Sequence, residues 1–276
     1  MPDKNEWQAR MGDKWAQEWQ RTDLSFSRLT PHLLTRIAGQ PSSRILDIGC
    51  GAGETAIALA KSHPQIKIVG LDISPSLIEI ARQRARAEGA NVTFVNMDAL
   101  RWQAEDGFAP DLLISRHGVM FFDDPSSAFG HLADVAAPAA RLVFSCFRST
   151  DENPFFTKMS ELLPAPDRMV TDPTAPGPFA FADKDRVRSI LQDGGWGDIA
   201  FEAYDYPAIA GEGRDAVLDA VTYFTTIGPA ARAMAQMETM EKERLREGIR
   251  EIAMKNCSDG IVSLPAAVWI VSATKR

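Results

Sequence analysis

The sequence predicts a doubly wound α/β fold: a seven-stranded, mostly parallel sheet with an antiparallel last strand, plus a helical cap and insertions. Three observations predict it. Residues 44–146 alternate short apolar runs with helical segments, and strands joined by such segments pair in parallel through right-handed crossovers. The runs "RILDI", "IKIVGLD" and "RLVFSCF" are apolar at nearly every position, as a sheet covered on both faces requires. The first run leads at once into "GCGAGE", a glycine-rich turn at the place where such sheets receive ligands.

The elements follow in order. The first 40 residues read as amphipathic helix, with Trp7, Met11, Trp15 and Trp19 recurring every four residues as one stripe. "RILDI" (44–48) is the first strand, and the helix of 53–63 stops at His63-Pro64, where proline disfavours helical geometry in the preceding residue. Strand two is 66–72. The helix of 74–89 is punctuated by Ser74 as N-cap, Pro75 in the first turn and Gly89 at the end. Strands three and four are 91–98 and 111–116, Asp124-Pro125 opens a helix to about Ala137, and 141–147 is strand five. Residues 150–182 hold six prolines and read as an insertion that wraps a surface or closes a pocket. A helix over 183–195, a strand over 198–210, helical residues 213–256 and a closing strand over 266–276 complete the chain. The expected organisation is an N-terminal helical lid (1–40), a binding core (41–149), the Pro-rich insertion (150–182), and the remainder of the core (183–276) with its helical insertion (213–256).

Composition narrows the function classes. With 45% hydrophobic and 24% charged residues over 276 positions, the chain is an ordinary globular one. No apolar run approaches the roughly 20 residues that span a bilayer. Three scattered cysteines make neither a disulfide framework nor a zinc site. A net charge of −7 comes without the basic footprint of nucleic-acid binding. Arg82, Arg84 and Arg86 alternate along one helix and read as an exposed face. The expected protein is cytoplasmic, with no nucleic-acid, membrane or metal partner.

The chemistry sits at three neighbouring strand ends. Gly49, Gly51 and Gly53 form a GxGxG turn whose bare backbone admits close approach, and the helix that follows offers unpaired N–H groups to an anionic group. A dinucleotide fingerprint would place its third glycine where this chain has Glu54. Asp72 ends strand two, where a carboxylate accepts both hydroxyls of a ribose; the competing role, a helix N-cap, is already filled by Ser74. Asp98 ends strand three, where a carboxylate accepts from an adenine amine; the competing role is a solvated turn. Together they describe an adenosine with a zwitterionic tail.

On "LDIGCGAG", "GLDIS" and "SRHGVMFFDDP" the sequence resembles the class I S-adenosylmethionine-dependent methyltransferases of the small-molecule branch, over roughly residues 44–147 and again at "WIVSATKR". The resemblance implies that Asp47, Gly49, Gly51 and Gly53 line the methionine end of S-adenosyl-L-methionine. It implies that Asp72 holds the ribose with Ile73 against the adenine, that Asp98 and Ala99 meet the adenine edge, and that Arg116 lies beside the methyl group. One departure is "APAARL" (137–142), where family members often carry Pro-Gly-Gly. The expected reaction is methyl transfer to a small-molecule acceptor, on O, N, S or C.

For such a displacement the protein supplies alignment and a dry pocket, and a base where the acceptor arrives protonated. His117, after strand four, is the candidate base; its alternative is a ring tucked against backbone carbonyls. Arg116 either holds an acidic substrate or pairs with a nearby acid. Met120, Phe121 and Phe122 line the acceptor pocket or belong to the core. His32, His63 and His131 have surface or packing roles. Met237, Met240, Leu245, Ile249 and Ile252 share one side of a helix over 234–255. A nicotinamide-dependent oxidoreductase and a non-catalytic S-adenosylmethionine-binding regulator are the alternative functions.

Overall fold

The computed structural model describes residues 10–40, 42–104, 107–164, 172 and 175–276. Helices α1 (Arg10–Gln17), α2 (Trp19–Phe26) and α3 (Thr30–Ala38) lead the described chain. The core alternates β1 (Arg44–Ile48), α4 (Glu54–Ser62), β2 (Lys67–Asp72), α5 (Pro75–Glu88), β3 (Thr93–Asn96), β4 (Leu112–Arg116), α6 (Pro125–Val135) and β5 (Arg141–Phe147). Then come α7 (Pro154–Glu161), α8 (Lys184–Asp193) and β6 (Trp196–Glu212). Helices α9 (Ala216–Thr226), α10 (Pro229–Met234) and α11 (Thr239–Lys255) lead to β7 (Cys257–Ser258) and β8 (Ile261–Lys275).

The sheet order is β3-β2-β1-β4-β5-β8-β6, with β7 a two-residue partner of β8 off this path. Strands β1 to β5 run parallel, and β8 is antiparallel to both of its neighbours. The expected architecture is therefore the observed one. Its strand order reverses between β1 and β4, and a ligand site falls at the carboxyl ends on either side of such a reversal. Ile45, Leu46, Leu112, Leu113 and Ile114 are buried outright, so the strands that flank the reversal are fixed by apolar packing on both faces. The N-cap signals read from the sequence hold: Ser74 Oγ accepts from Leu77 N, and Asp124 accepts from Ser127 N.

Beyond Phe147 the β6 and β8 strands continue together. Strand β5 pairs β8 only over Val268–Thr274, whereas β6 follows β8 to the Glu212–Ile261 rung. The projecting ribbon carries helices α9 to α11 as a roof. Gly211 lies at a register shift, where a Cβ would run into the Ala216 carbonyl of α9.

Two expectations change. Residues 213–256 hold three helices, interrupted at Gly228-Pro229 and again before Glu238, so the helix expected over 234–255 starts instead at Thr239. The N-cap Glu238 starts a new helix through a capping box with Glu241. Met237 consequently lies before α11 and Met240 is 68% exposed, so the buried stripe of α11 is Leu245, Ile249 and Ala253. The tryptophan stripe is broken too. Trp19 opens α2, whereas Trp15 belongs to α1, and Trp7 lies outside the described residues.

The family departure before β5 has a backbone consequence. Ala139 adopts φ +56, the left-handed region in which a Cβ costs about 1–2 kcal/mol. Ala139→Gly is expected to raise stability by about 0.5–1 kcal/mol, the larger unfolded-state freedom of glycine offsetting part of the relief. Chemical denaturation checks this, and no gain would mean that the turn carries no strain.

Candidate functional site

The cradle is built where β1 meets β4. Gly49, Gly51 and Gly53 all have positive φ, at +64, +54 and +83. A Cβ on Gly49 would lie 2.9 Å from the Gly118 Cα, and one on Gly118 would lie 2.6 Å from the Ile48 oxygen. The turns after β1 and β4 thus touch backbone to backbone. Gly53 is glycine for packing, since a Cβ there would meet the Phe94 ring at 2.7 Å. Only Gly51 faces open space; its N–H donates to Asp72 Oδ2 at 2.9 Å.

Asp72 therefore closes the cradle from β2. Its other oxygen, Oδ1, accepts from Ser74 N at 2.8 Å. Burial pushes its pKa up while the Ser74, Gly51 and Ile73 N–H groups pull it down. A carboxylate has about four acceptor positions, so capacity remains for ribose hydroxyls. Asp98 accepts from Leu100 N at 3.0 Å, and Ala99 beside it is buried. Asp47 is 1% exposed, and its Oδ2 is a buried oxygen with no hydrogen-bond partner among the described residues. Burial, above all, pushes its pKa up to about 7.

Arg116 pairs with acids rather than standing open. Its Nη1 bonds Glu54 Oε2 and donates to Thr30 Oγ1 at 2.7 Å, and its Nη2 lies 3.6 Å from Asp23 Oδ1. Asp23 Oδ2 in turn pairs with Arg84 at 2.7 Å. Arg84 also donates to the Ala52 carbonyl at 2.9 Å and stacks on Trp19 at 3.9 Å. Burial, followed by the neighbouring Glu54, raises the Asp23 pKa despite these two guanidiniums. Helix α2 is thereby bolted to the glycine turn. Its far side reaches the roof, where Arg21 pairs with Asp219 of α9 at 2.8 Å.

His117 is neither at the surface nor tucked against carbonyls. It is 7% exposed, with no partner for Nδ1 or Nε2 among the described residues. It also has a left-handed backbone, φ +62. Its ring stacks on Phe147 at 4.1 Å with an interplanar angle of 5°, and Phe26 tilts against it at 5.0 Å. Burial first, and then the Arg116 charge, hold its pKa well below the usual 6.5. The imidazole is neutral at pH 7. On β6, Tyr206 is 4% exposed, and its hydroxyl has no partner among the described residues. Burial raises its pKa, and it feels the Arg116 charge.

Other candidates serve packing. Met120 is buried and Phe122 meets Phe129 edge-on at 5.8 Å. His131 bonds the Trp102 carbonyl at 2.8 Å, and His32 pairs with Glu202 at 2.8 Å and stacks on Tyr204. Arg84 leaves the exposed face on which alternate spacing put it. It follows the buried Leu77 and Ala81 by seven and three positions, which is the signal that places it on the inward flank of α5. Asp23, Phe26 and Tyr206 were not singled out by sequence, and Glu54 was noted only for the glycine it replaces; their roles arise from long-range contacts. No cluster of three metal-ligating side chains occurs among the described residues, and no described helix is long and apolar enough to cross a membrane.

A glycine cradle, an acid at the end of β2 and a sheet ordered 3-2-1-4-5 with an antiparallel strand beyond define a Rossmann-like domain of the class I methyltransferase type. The comparisons agree over that region: residues 45–139 match the family model described as a methyltransferase domain. It is similar to the demethylmenaquinone methyltransferase of Thermus thermophilus, 40% identical over 100 residues, 36% of this chain and 45% of that protein. It therefore spans under half the length of that relative. A trans-aconitate 2-methyltransferase of Methylobacterium radiotolerans is 26% identical over 80% of this chain and 70% of its own. Among solved structures, phosphoethanolamine N-methyltransferase 2 of Haemonchus contortus, in complex with S-adenosyl-L-methionine, shares the fold. Its TM-score is 0.57 at 15% identity, covering 100% of this chain and 60% of that one. Neither the oxidoreductase nor the regulator gains support from these likenesses.

Proposed function

We propose that the protein transfers a methyl group from S-adenosylmethionine to a small-molecule acceptor in the cytoplasm, without nucleic-acid or membrane partners. The observation that carries this reading is the unpartnered Asp47 Oδ2 at the end of β1, directly before a turn of three left-handed glycines. A buried carboxylate oxygen lacking a donor is costly unless a cationic group completes it, and the ammonium of the methionine tail is such a group. Gly49, Gly51 and Gly53 bring bare backbone to that tail. Asp72 offers its remaining lone pairs to the ribose, Ile73 packs on the adenine, and Asp98 and Ala99 meet the adenine edge. When bound, S-adenosylmethionine supplies an activated methyl group on a sulfonium.

The chain's own residues then orient, dry and deprotonate. Phe26 and Phe147 exclude water around His117, and the neutral His117 imidazole is ready to take a proton from an acceptor at its free nitrogen. Arg116, neutralised by Glu54 and Asp23, holds the N-terminal helices over the cradle rather than touching the acceptor. Residues 1–40 act as a lid, 41–149 as the donor-binding core, and 150–182 and 213–256 as the acceptor cover.

Two measurements test this. Calorimetry with S-adenosylhomocysteine is expected to show one site per chain, and labelled S-adenosylmethionine with an acceptor panel is expected to yield labelled product. No uptake of either compound by folded protein overturns the reading. Limited proteolysis tests the lid. Saturating S-adenosylhomocysteine is expected to slow cleavage within residues 10–30 several-fold, and an unchanged rate counts against a lid.

A further inference from the structure

Resting on that reading, we propose that Arg84 is a positioning residue for the donor: its guanidinium seats helix α2 on the glycine turn, and the turn keeps its donor-receiving shape through that seat.

The turn is a segment that needs holding. Ala52 stands between Gly51 and Gly53, at φ +54 and +83, and glycine imposes little preference of its own on the backbone. Asp72 holds one side of the segment, accepting from Gly51 N at 2.9 Å. The Gly53 N–H closes the turn by donating to the Cys50 carbonyl at 2.9 Å. The Ala52 carbonyl is held from α5, where Arg84 Nη1 donates to it at 2.9 Å.

The same guanidinium carries α2. Its Nη2 pairs with Asp23 Oδ2 at 2.7 Å, and its carbon lies 3.9 Å from the centroid of the Trp19 ring. Asp23 and Trp19 both belong to α2. The Arg84 and Asp23 side chains are only 13% and 17% exposed, so solvent screens this pair less than it screens a surface pair. The other Asp23 oxygen lies 3.6 Å from Arg116, which also pairs with Glu54, the first residue of α4. One carboxylate of α2 therefore faces two arginines. One of them holds Ala52 and the other holds Glu54, on either side of Gly53.

An arginine suits this joint and a lysine does not. A planar guanidinium can bond a carbonyl and a carboxylate along its edges while one face stacks on an indole, whereas an ammonium is a point charge on a flexible stem. A turn already fixed when the donor arrives spares part of the ordering cost of binding. By linkage, a donor that prefers the fixed turn tightens the seat of α2 by the same factor.

Calorimetry with S-adenosylhomocysteine and limited proteolysis test this at pH 8, above the raised pKa of Asp23. Arg84→Lys is expected to weaken S-adenosylhomocysteine binding at least tenfold and to abolish the protection that this compound gives residues 10–30, an effect that a purely structural arginine would not have. Arg188→Lys is the control. Arg188 of α8 likewise donates to a carbonyl, that of Ile199 at 3.2 Å, and lies over a ring, Phe201 at 5.2 Å; its variant is expected to match the parent in both readouts. Asp23→Asn, which keeps the size of the side chain, is expected to weaken binding at least threefold, and it decides alone if a thermal melt shows Arg84→Lys to be unfolded. Affinity of Arg84→Lys within threefold of the parent, full protection in that variant, no protection in the parent, an equal loss in Arg188→Lys, or parental affinity in Asp23→Asn overturns the proposal. Failure of the parent to bind S-adenosylhomocysteine at all marks instead the fall of the methyltransferase reading on which it rests.

Discussion

Gly118→Ala is expected to destabilise the protein by about 2–3 kcal/mol, the cost of an overpacked methyl that its surroundings cannot yield to, and to reduce S-adenosylmethionine affinity more than a hundredfold. The added Cβ would stand 2.6 Å from the Ile48 carbonyl oxygen and 2.9 Å from the Gly49 Cα and the Ser115 Oγ. Two of these atoms are backbone, and Ser115 Oγ is itself committed to the Ile48 carbonyl at 2.7 Å. The only relief is to separate the turn after β4 from the turn after β1. That separation moves Gly49 and Asp47, so the donor cradle opens while most of the sheet persists. Calorimetric affinity together with a thermal melt checks both halves. A variant that melts lower but binds S-adenosylhomocysteine normally would show that the contact serves stability alone.

Asp47→Asn is expected to separate stability from binding through their pH dependence. The Asp47 carboxyl is raised from 3.8 to about 7 by burial. Between those values the folded state holds a proton that the unfolded state has lost, so Asp47 erodes stability as pH rises from about 4 to 7. The integrated loss is at most about 4 kcal/mol at 1.36 kcal/mol per unit. Asparagine never ionises, so the variant is expected to be more stable than the parent at pH 8 and nearly equal to it at pH 4. His117 opposes this trend in both proteins. Its lowered pKa means that the unfolded chain binds the extra proton below 6.5, so its share of stability is lost as pH falls through that range. Binding moves the other way. The parent's donor affinity is expected to climb tenfold per pH unit up to about 7, where an ionised Asp47 meets the ammonium, while the variant stays weak and flat. Urea melts and calorimetry at pH 5, 7 and 8 check the pair, and parallel affinity profiles would remove Asp47 from the donor site.

The parts of this molecule that were legible in sequence are those set by neighbours in the chain. Strand β1 at Arg44–Ile48 and strand β5 at Arg141–Phe147 match their apolar runs residue for residue, and the Ser74 and Asp124 caps sit where local turn chemistry puts them. Strand β8 begins five residues earlier than the expected 266 and runs through Pro265. In the folded chain that proline opposes Pro207 on one rung of a two-stranded ribbon, where an outward-facing position needs no donor. The positions of the glycines and of Asp47, Asp72 and Asp98 were legible because strand ends and a glycine turn are local signals. The partners of Arg116 were not. Glu54 is 62 residues away and Arg21 meets Asp219 across 198, distances over which periodicity carries no information. Glu54 registered only as a missing third glycine, although that position is the one that neutralises the arginine of β4.

The roof departs from and returns to the two ends of a single rung, Glu212 opposite Ile261. An insert attached in that manner behaves as a cassette. Its length and contents can be exchanged without shifting the register of any strand beneath. Lineages that share this cradle are thus free to diversify the part that overhangs the acceptor while the donor machinery stays constant, and a chimera spliced at those two residues should keep its grip on the nucleoside.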